Sequence, residues 1–331
     1  MSRNQRRQIL LAASAFAAWP PIALAQAARG KVRVAILYNA SRPVAGYLFD
    51  AFMEQMGERG WREGVNIEYV IREAKGDNTR LDPLAAELVA LKPDLILVGP
   101  TPGALAAKKH TSTIPIVFTT VTDPVAARLV QSLSKPGGNA TGTTSAVLGG
   151  GLSGKRLQIL KEVFPTLHSV ALLYDPSDAQ DATTLQYAQA GARELTLDLR
   201  PFVAKGPDEF RASFGAMKRD KIGAVLLGSS IANFIHGKRI AELAIEHRIP
   251  TSAGNIQQVG NGMLMGYGLN LVSLFRRAAH YADRILRGAR PADLPVEQPT
   301  VLEFHVNLKT ARALGVKIPQ GILLRADRVI E

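Results

Sequence analysis

The chain contains no cysteine, and that absence removes a disulfide framework, a thiolate metal site and a cysteine nucleophile together. It also excludes a lipid-modified N-terminal cysteine, so a mature form would diffuse freely. Acidic residues are few beside basic ones, 28 against 40, giving a formal charge of +12, or +9 once Arg3, Arg6 and Arg7 are set aside. Aromatic residues are scarce at 6%, and no basic run interleaves with them. The scattered Lys and Arg therefore read as a solvated surface and not as a nucleic-acid face. Long apolar runs are missing too: residues 9–18 reach only about half the length a bilayer-spanning helix needs.

Several catalytic and cofactor signatures are also absent. The six histidines form no His-x-x-x-His pair, no Gly-x-Ser-x-Gly elbow occurs, and no Gly-x-Gly-x-x-Gly follows the first strand. Gly149-Gly150-Gly151-Leu152-Ser153-Gly154-Lys155-Arg156 imitates a phosphate loop, but Arg156 stands where a hydroxyl must bind Mg²⁺. These absences predict no cofactor, no metal site and no catalytic residue.

What is present begins with an export pattern. Arg3, Arg6 and Arg7 precede the apolar run, and Ala23-Leu24-Ala25 offers small residues at the spacing a signal peptidase reads, so residues 1–25 are expected to be a signal peptide cut after Ala25. Gln5-Arg6-Arg7-Gln8-Ile9-Leu10 matches a twin-arginine signal only in part, which leaves the export route open. The remaining chain, 47% hydrophobic overall, can build one large core or two moderate ones.

Two is the number the sequence favours, because a half-domain recurs. Val34-Ala35-Ile36-Leu37-Tyr38-Asn39-Ala40-Ser41 returns as Val170-Ala171-Leu172-Leu173-Tyr174-Asp175-Pro176-Ser177. Ala74-Lys75-Gly76-Asp77 is answered by Ala204-Lys205-Gly206-Pro207, Leu95-Ile96-Leu97-Val98-Gly99 by Ala224-Val225-Leu226-Leu227-Gly228, and Ile114-Pro115 by Ile249-Pro250. The offset is roughly 130 residues, about one domain. Apolar β-rich runs at 32–38, 66–71, 94–98 and 116–118 alternate with helical spacing at 49–56, 81–91 and 101–109. Asp82 is expected to cap the middle helix, with Pro83 in its first turn. The second half repeats the pattern, with strands at 169–173, 196–202 and 224–227 and helices at 155–163, 182–194, 209–219 and 232–247. A Gly- and Thr-rich stretch, 134–144, reads as a crossing segment. Helix 271–286, strand 303–306 and helix 308–314 complete the chain. Alternation of this kind implies an α/β fold of two similar doubly wound parallel-sheet lobes.

Lys135-Pro136-Gly137-Gly138-Asn139-Ala140-Thr141-Gly142, Ala292-Asp293-Leu294-Pro295-Val296-Glu297-Gln298-Pro299 and Asn307-Leu308-Lys309-Thr310-Ala311 resemble a known family. So do Ile114-Pro115-Ile116-Val117-Phe118, Asp123-Pro124-Val125, Lys155-Arg156-Leu157 and Tyr267-Gly268. The family is that of exported ABC-transporter substrate-binding proteins related to tryptophan- and tyrosine-binding ones. The resemblance implies a type I periplasmic binding protein with a multi-strand hinge, a soluble periplasmic monomer that captures a small molecule and delivers it to an inner-membrane ABC permease. It implies lobes built from 30–143 with 268–295 and from 144–267 with 296–331. Where that family carries an acidic residue shortly after the Tyr-Gly pair, this chain has Asn270.

In open α/β sheets ligands bind beyond the carboxyl ends of the strands. That rule selects loops 39–41, 99–101 and 119–123 in the first lobe, and 174–177, 228–230 and 252–255 in the second. The candidate ligand-binding residues are Asn39, Ser41, Gly99, Thr101, Thr120, Asp123, Tyr174, Ser229, Ser230, Ser252, Tyr267 and Asn270. The hydroxyls can hold a carboxylate, Asp123 can pair with an ammonium, and Tyr38, Tyr174 and Tyr267 can stack on a planar body. Each has a plainer role open to it, since Ser and Thr after strands cap helices, Asp before Pro makes turns, and the tyrosines can close their sheets. The expected function is capture of an amino acid by hinge closure, an aromatic one being favoured by the family. Alternatives are an α/β hydrolase or transferase using the same cleft, and a sensory ligand-binding protein without a transport role. A sugar-responsive regulator would need a DNA-binding domain before Lys31, where the export pattern stands.

Overall fold

The computed structural model describes residues 30–145 and 152–331, so the expected signal peptide and Gly149 to Gly151 lie outside the described residues. In the first lobe β1 (Val32–Tyr38) leads to α1 (Arg42–Glu58), β2 (Ile67–Glu73), α2 (Leu81–Ala90), β3 (Leu95–Gly99), α3 (Thr101–His110), β4 (Ile116–Val121) and β5 (Ala140–Thr144). The second lobe runs α4 (Leu152–Val163), β6 (Ser169–Tyr174), α5 (Ala179–Glu194), β7 (Asp198–Val203), α6 (Pro207–Arg219), β8 (Ala224–Leu227), α7 (Ile231–Ile235), α8 (Gly237–His247), β9 (Thr251–Asn255), α9 (Gln257–Gly260) and β10 (Met265–Leu269). Then come α10 (Leu271–Leu286), β11 (Glu303–Asn307), α11 (Leu308–Leu314), α12 (Gln320–Leu323) and β12 (Arg328–Ile330).

The first sheet has the order β2-β1-β3-β4-β5, all parallel. The second has β7-β6-β8-β9-β10 in the same relative order, extended by β11, antiparallel to β10, and by β12. The duplication seen in the sequence is thus a duplication of topology. Each sheet is covered on both faces by apolar clusters, which is why β1 and β8 read as continuous hydrophobic runs.

The helix that follows the fifth strand of each lobe packs on the other lobe. Leu157 and Leu160 of α4 join the core of the second sheet, whereas Phe275, Ala278 and Ala282 of α10 join that of β1 and α1 in the first. The chain accordingly crosses between lobes after β5, after β10 and again before β11. Two of the crossing segments are stitched together, with Thr144 N donating to Glu297 O at 2.9 Å and Glu297 N to Gly142 O at 3.0 Å. Arg277 forks onto the carboxylate of Glu297 beside them.

Several expectations need correction. The stretch read as a crossing segment contains β5, whose Ala-Thr-Gly-Thr-Thr sequence lacks an apolar signature. Its buried hydroxyls are paired, Thr141 with Leu294 O at 2.6 Å and Thr143 with Thr119 Oγ1 at 3.2 Å. Strands β9 and β10 were likewise not expected from pattern. Gly142, at φ 149°, lies so close to the Phe118 carbonyl that a Cβ would overlap it, and Gly268 stands in the same relation to the Gly254 carbonyl in the other lobe. Asp82 does not cap α2. Asp77 instead accepts from Thr79 N at 2.9 Å in a short turn ahead of the helix, and Asp82 pairs with Lys109 and His110. Helix 232–247 is broken at His236 into α7 and α8, with Gln258 Nε2 donating to the Phe234 carbonyl at 3.1 Å at the break.

Candidate functional site: an interlobe cleft

The carboxyl ends of the strands face one cavity of about 600 Å³, a size within the usual range for small-molecule sites. Each of the six strand-tip loops reaches its wall. Asn39 follows β1, Pro100 and Thr101 follow β3, and Thr120, Thr122 and Asp123 come from the end of β4. Across from them stand Ser177 after β6, Gly228, Ser229 and Ser230 after β8, and Ala253, Gly254 and Asn255 at the end of β9.

The structure therefore brings Asn39, Thr101, Thr120, Asp123, Ser229 and Ser230 together. Thr120 holds φ +59°, a region β-branched residues rarely enter, and its hydroxyl donates to Thr119 O at 2.7 Å. Asp123 is at the exposed rim, where Oδ1 accepts from Val125 N at 3.0 Å and Ala126 N at 2.9 Å. Ser230 caps α7 through Asn233 N and still lines the cavity.

The other six do not line it. Ser41 precedes α1, where its carbonyl, and not its hydroxyl, accepts from Val44 N and Ala45 N. Gly99 ends β3 packed against Thr119, one residue short of the wall. Ser252 is buried inside β9 between Leu226 and Met265, three residues before the strand's last residue, Asn255. Tyr174 and Tyr267 lie on the opposite side of the second sheet from the β8–α7 loop's packing face, sharing the core of Val170, Leu172 and Met265, as two-residue alternation along each strand requires. Asn270 sits at a lobe crossing. It caps α10 by accepting from Ser273 N at 3.2 Å, accepts from Gln257 Nε2 at 2.9 Å and donates to Glu303 Oε1 at 2.7 Å. The aromatic surface of the cavity comes from Tyr38, which is wedged edge-on against Phe49 and Phe275, and from Phe234.

Two buried ionisable residues outside the set of candidate ligand-binding residues shape the second lobe's wall. Arg156, 2% exposed, donates from Nη1 to Leu227 O at 3.0 Å, from Nη2 to Ser153 Oγ at 3.2 Å and from Nε to Leu152 O at 3.4 Å. Burial lowers its pKa to about 10. Asp181, fully buried, accepts from Asp175 N at 2.8 Å and from Ser229 N, and desolvation raises its pKa to about 6. Together they grip the 227–229 backbone from both sides. Gly228 between them has no room for a Cβ, which would overlap the Asp181 carboxylate.

Among the described residues, five buried side-chain polar atoms have no hydrogen-bond partner, and three belong to the cavity wall: Asn39 Oδ1, Thr122 Oγ1 and Asn233 Oδ1. Native interiors leave few such atoms, and clustering at one cavity marks it as built for a polar guest. No group of three or more metal-ligating side chains occurs among the described residues, and no described helix is long and apolar enough to cross a membrane.

Comparison with known proteins places this geometry. A family model described as ABC transporter substrate binding protein matches residues 33–330. A tyrosine-binding protein of Clostridioides difficile is 27% identical over 266 residues, covering 80% of this chain and 76% of that protein. Among solved structures, an ABC domain from Streptococcus pneumonia in complex with L-Trp superposes with a TM-score of 0.81 at 23% identity, covering 91% of this chain and 100% of that one. The ligand-free, open structure of a substrate-binding protein with adhesive properties from Clostridium difficile gives 0.66 at 25% identity, covering 90% and 99%.

Proposed function

Because the chain belongs to the ABC transporter substrate-binding protein family, we propose that it is the exported, periplasmic capture component of an importer, a monomer that closes on an amino acid and hands it to an inner-membrane permease. The observation that carries this reading is the single cavity walled by all six strand-tip loops, half from each lobe. The lobes are the units built on the two sheets, joined at the crossings after β5, after β10 and before β11, and their contacts with a shared solute supply the differential affinity that favours closure. The aromatic ligands of the relatives, together with Tyr38 and Phe234 on the wall, support an aromatic amino acid. Ile231, Phe234 and Ile235 of α7, packed against the first-lobe core, support reading the lobes here as drawn together. No chemistry is assigned to the cleft, and binding is its whole activity.

The test is a thermal-shift screen of the protein against amino acids, carboxylates and sugars, followed by recovery of the bound solute. An amino acid should raise Tm with the logarithm of its concentration above Kd and return unchanged. A solute recovered as a product, or a panel without a single shift, overturns the reading.

A further inference from the structure

The wall of the cavity offers no free cation among the described residues. Its one cation among the described residues, Arg156, already donates to the chain from all three nitrogens, while Asp123 and Asp178 bring carboxylates. Asn233 adds an acceptor whose identity is fixed: Nδ2 donates to Leu173 O at 2.9 Å, which only a nitrogen can do, so the partnerless atom is the carbonyl oxygen Oδ1. Asn233 is 2% exposed and belongs to α7 in the second lobe. From the first lobe Asn39, 1% exposed, also lines the cavity, and its Oδ1 has no hydrogen-bond partner among the described residues. Thr122 contributes a third unpaired oxygen.

We infer that Asn233 and Asn39 are the specificity-determining pair of the cleft and that they recognise a cationic amino group, the primary ammonium of the solute, one asparagine from each lobe. This rests on the binding role proposed above and specifies which end of the solute draws the lobes together. A buried acceptor left without a donor is costly, so a solute that brings none leaves Asn233 Oδ1 desolvated and unpaid, and the site rejects it. An ammonium has three donors and the charge that the surrounding carboxylates and carbonyls favour. A neutral polyol can meet the geometry without the charge. A plain carboxylate can do neither.

The experiment is a double-mutant cycle between protein and ligand, read by calorimetry. The standard L-amino acids are screened first, alongside monosaccharides, and each amino acid that binds is then compared with its α-hydroxy and des-amino counterparts on the wild type, Asn233→Leu and Asn39→Leu. The expected result is that removing the amino group weakens binding to the wild type on the order of tenfold to a hundredfold, and that Asn233→Leu abolishes this discrimination by weakening the amino acid alone. Asn39→Leu should act in the same direction, with the α-hydroxy compound intermediate. Because Asn233→Leu also frees the Leu173 carbonyl, general loosening of the fold would lower affinity for all three compounds alike, and the ratio between them is the readout. Equal discrimination in the wild type and both variants overturns the assignment, as does tight binding of a neutral sugar in place of any amino acid, which would leave the binding role standing. Failure of every compound to bind overturns both.

Discussion

Asp181 is the residue whose burial has the widest consequence. Its two carboxylate oxygens hold the backbone of the Asp175 and Ser229 loops, so two parts of the cavity wall depend on one side chain. An amide can accept on only one side, and Asp181→Asn should lower Tm by several degrees and weaken solute binding. With its pKa raised to about 6 in the fold, against 3.8 ordinarily, the folded chain keeps a proton that the unfolded chain has lost. The stability this adds is full below about 3.8 and lost as pH rises through 6. The Tm of the wild type minus that of Asp181→Asn should therefore widen as pH is lowered from 7 to about 4. Narrowing over that window would contradict the assignment. None of this was readable from the sequence, where Asp181 is one acidic residue among 28. Loop positions were readable because strand tips follow from the apolar runs. Side-chain direction was not, and Tyr174, Ser252 and Tyr267 were each turned or set back from the cleft by strand pleating.

At the scale of elements, α7 links the lobes directly. Ile231, Phe234 and Ile235 of this second-lobe helix pack against the first-lobe core, and Ile235 Cδ1 lies 3.0 Å from where a Cβ on Gly76 would stand. Gly76 also has φ +90°, which an alanine tolerates poorly. Gly76→Ala should then disfavour the closed arrangement, weakening solute binding by about tenfold or more while the first lobe stays folded. Calorimetry of the variant, with far-UV dichroism as the folding control, checks this. Unchanged affinity would remove α7 from the closing contact. The break that creates α7 was hidden because residues 232–247 have helical spacing throughout, and the competing donor, Gln258, is more than 20 residues away in sequence. Strand β5 was hidden for the opposite reason. Its threonines look like a loop until buried partners for their hydroxyls are in view.

At the scale of the molecule, two copies of one α/β unit face each other, and each lends the other a helix. This exchange ties the lobes at the crossings and leaves the strand tips opposed, so the closure proposed above would turn on the segments around Thr144, Asn270 and Glu297. The most direct measurement is the distance between lobes. Since the chain has no cysteine of its own, one thiol can be placed in each lobe, at exposed Val125 and exposed Tyr187, and spin-labelled for pulsed dipolar spectroscopy. A saturating amino acid should shift the distribution from a longer, broader one to a narrow one at the separation seen in this structure. A distribution that does not move when the solute binds would contradict closure as the working motion of the protein.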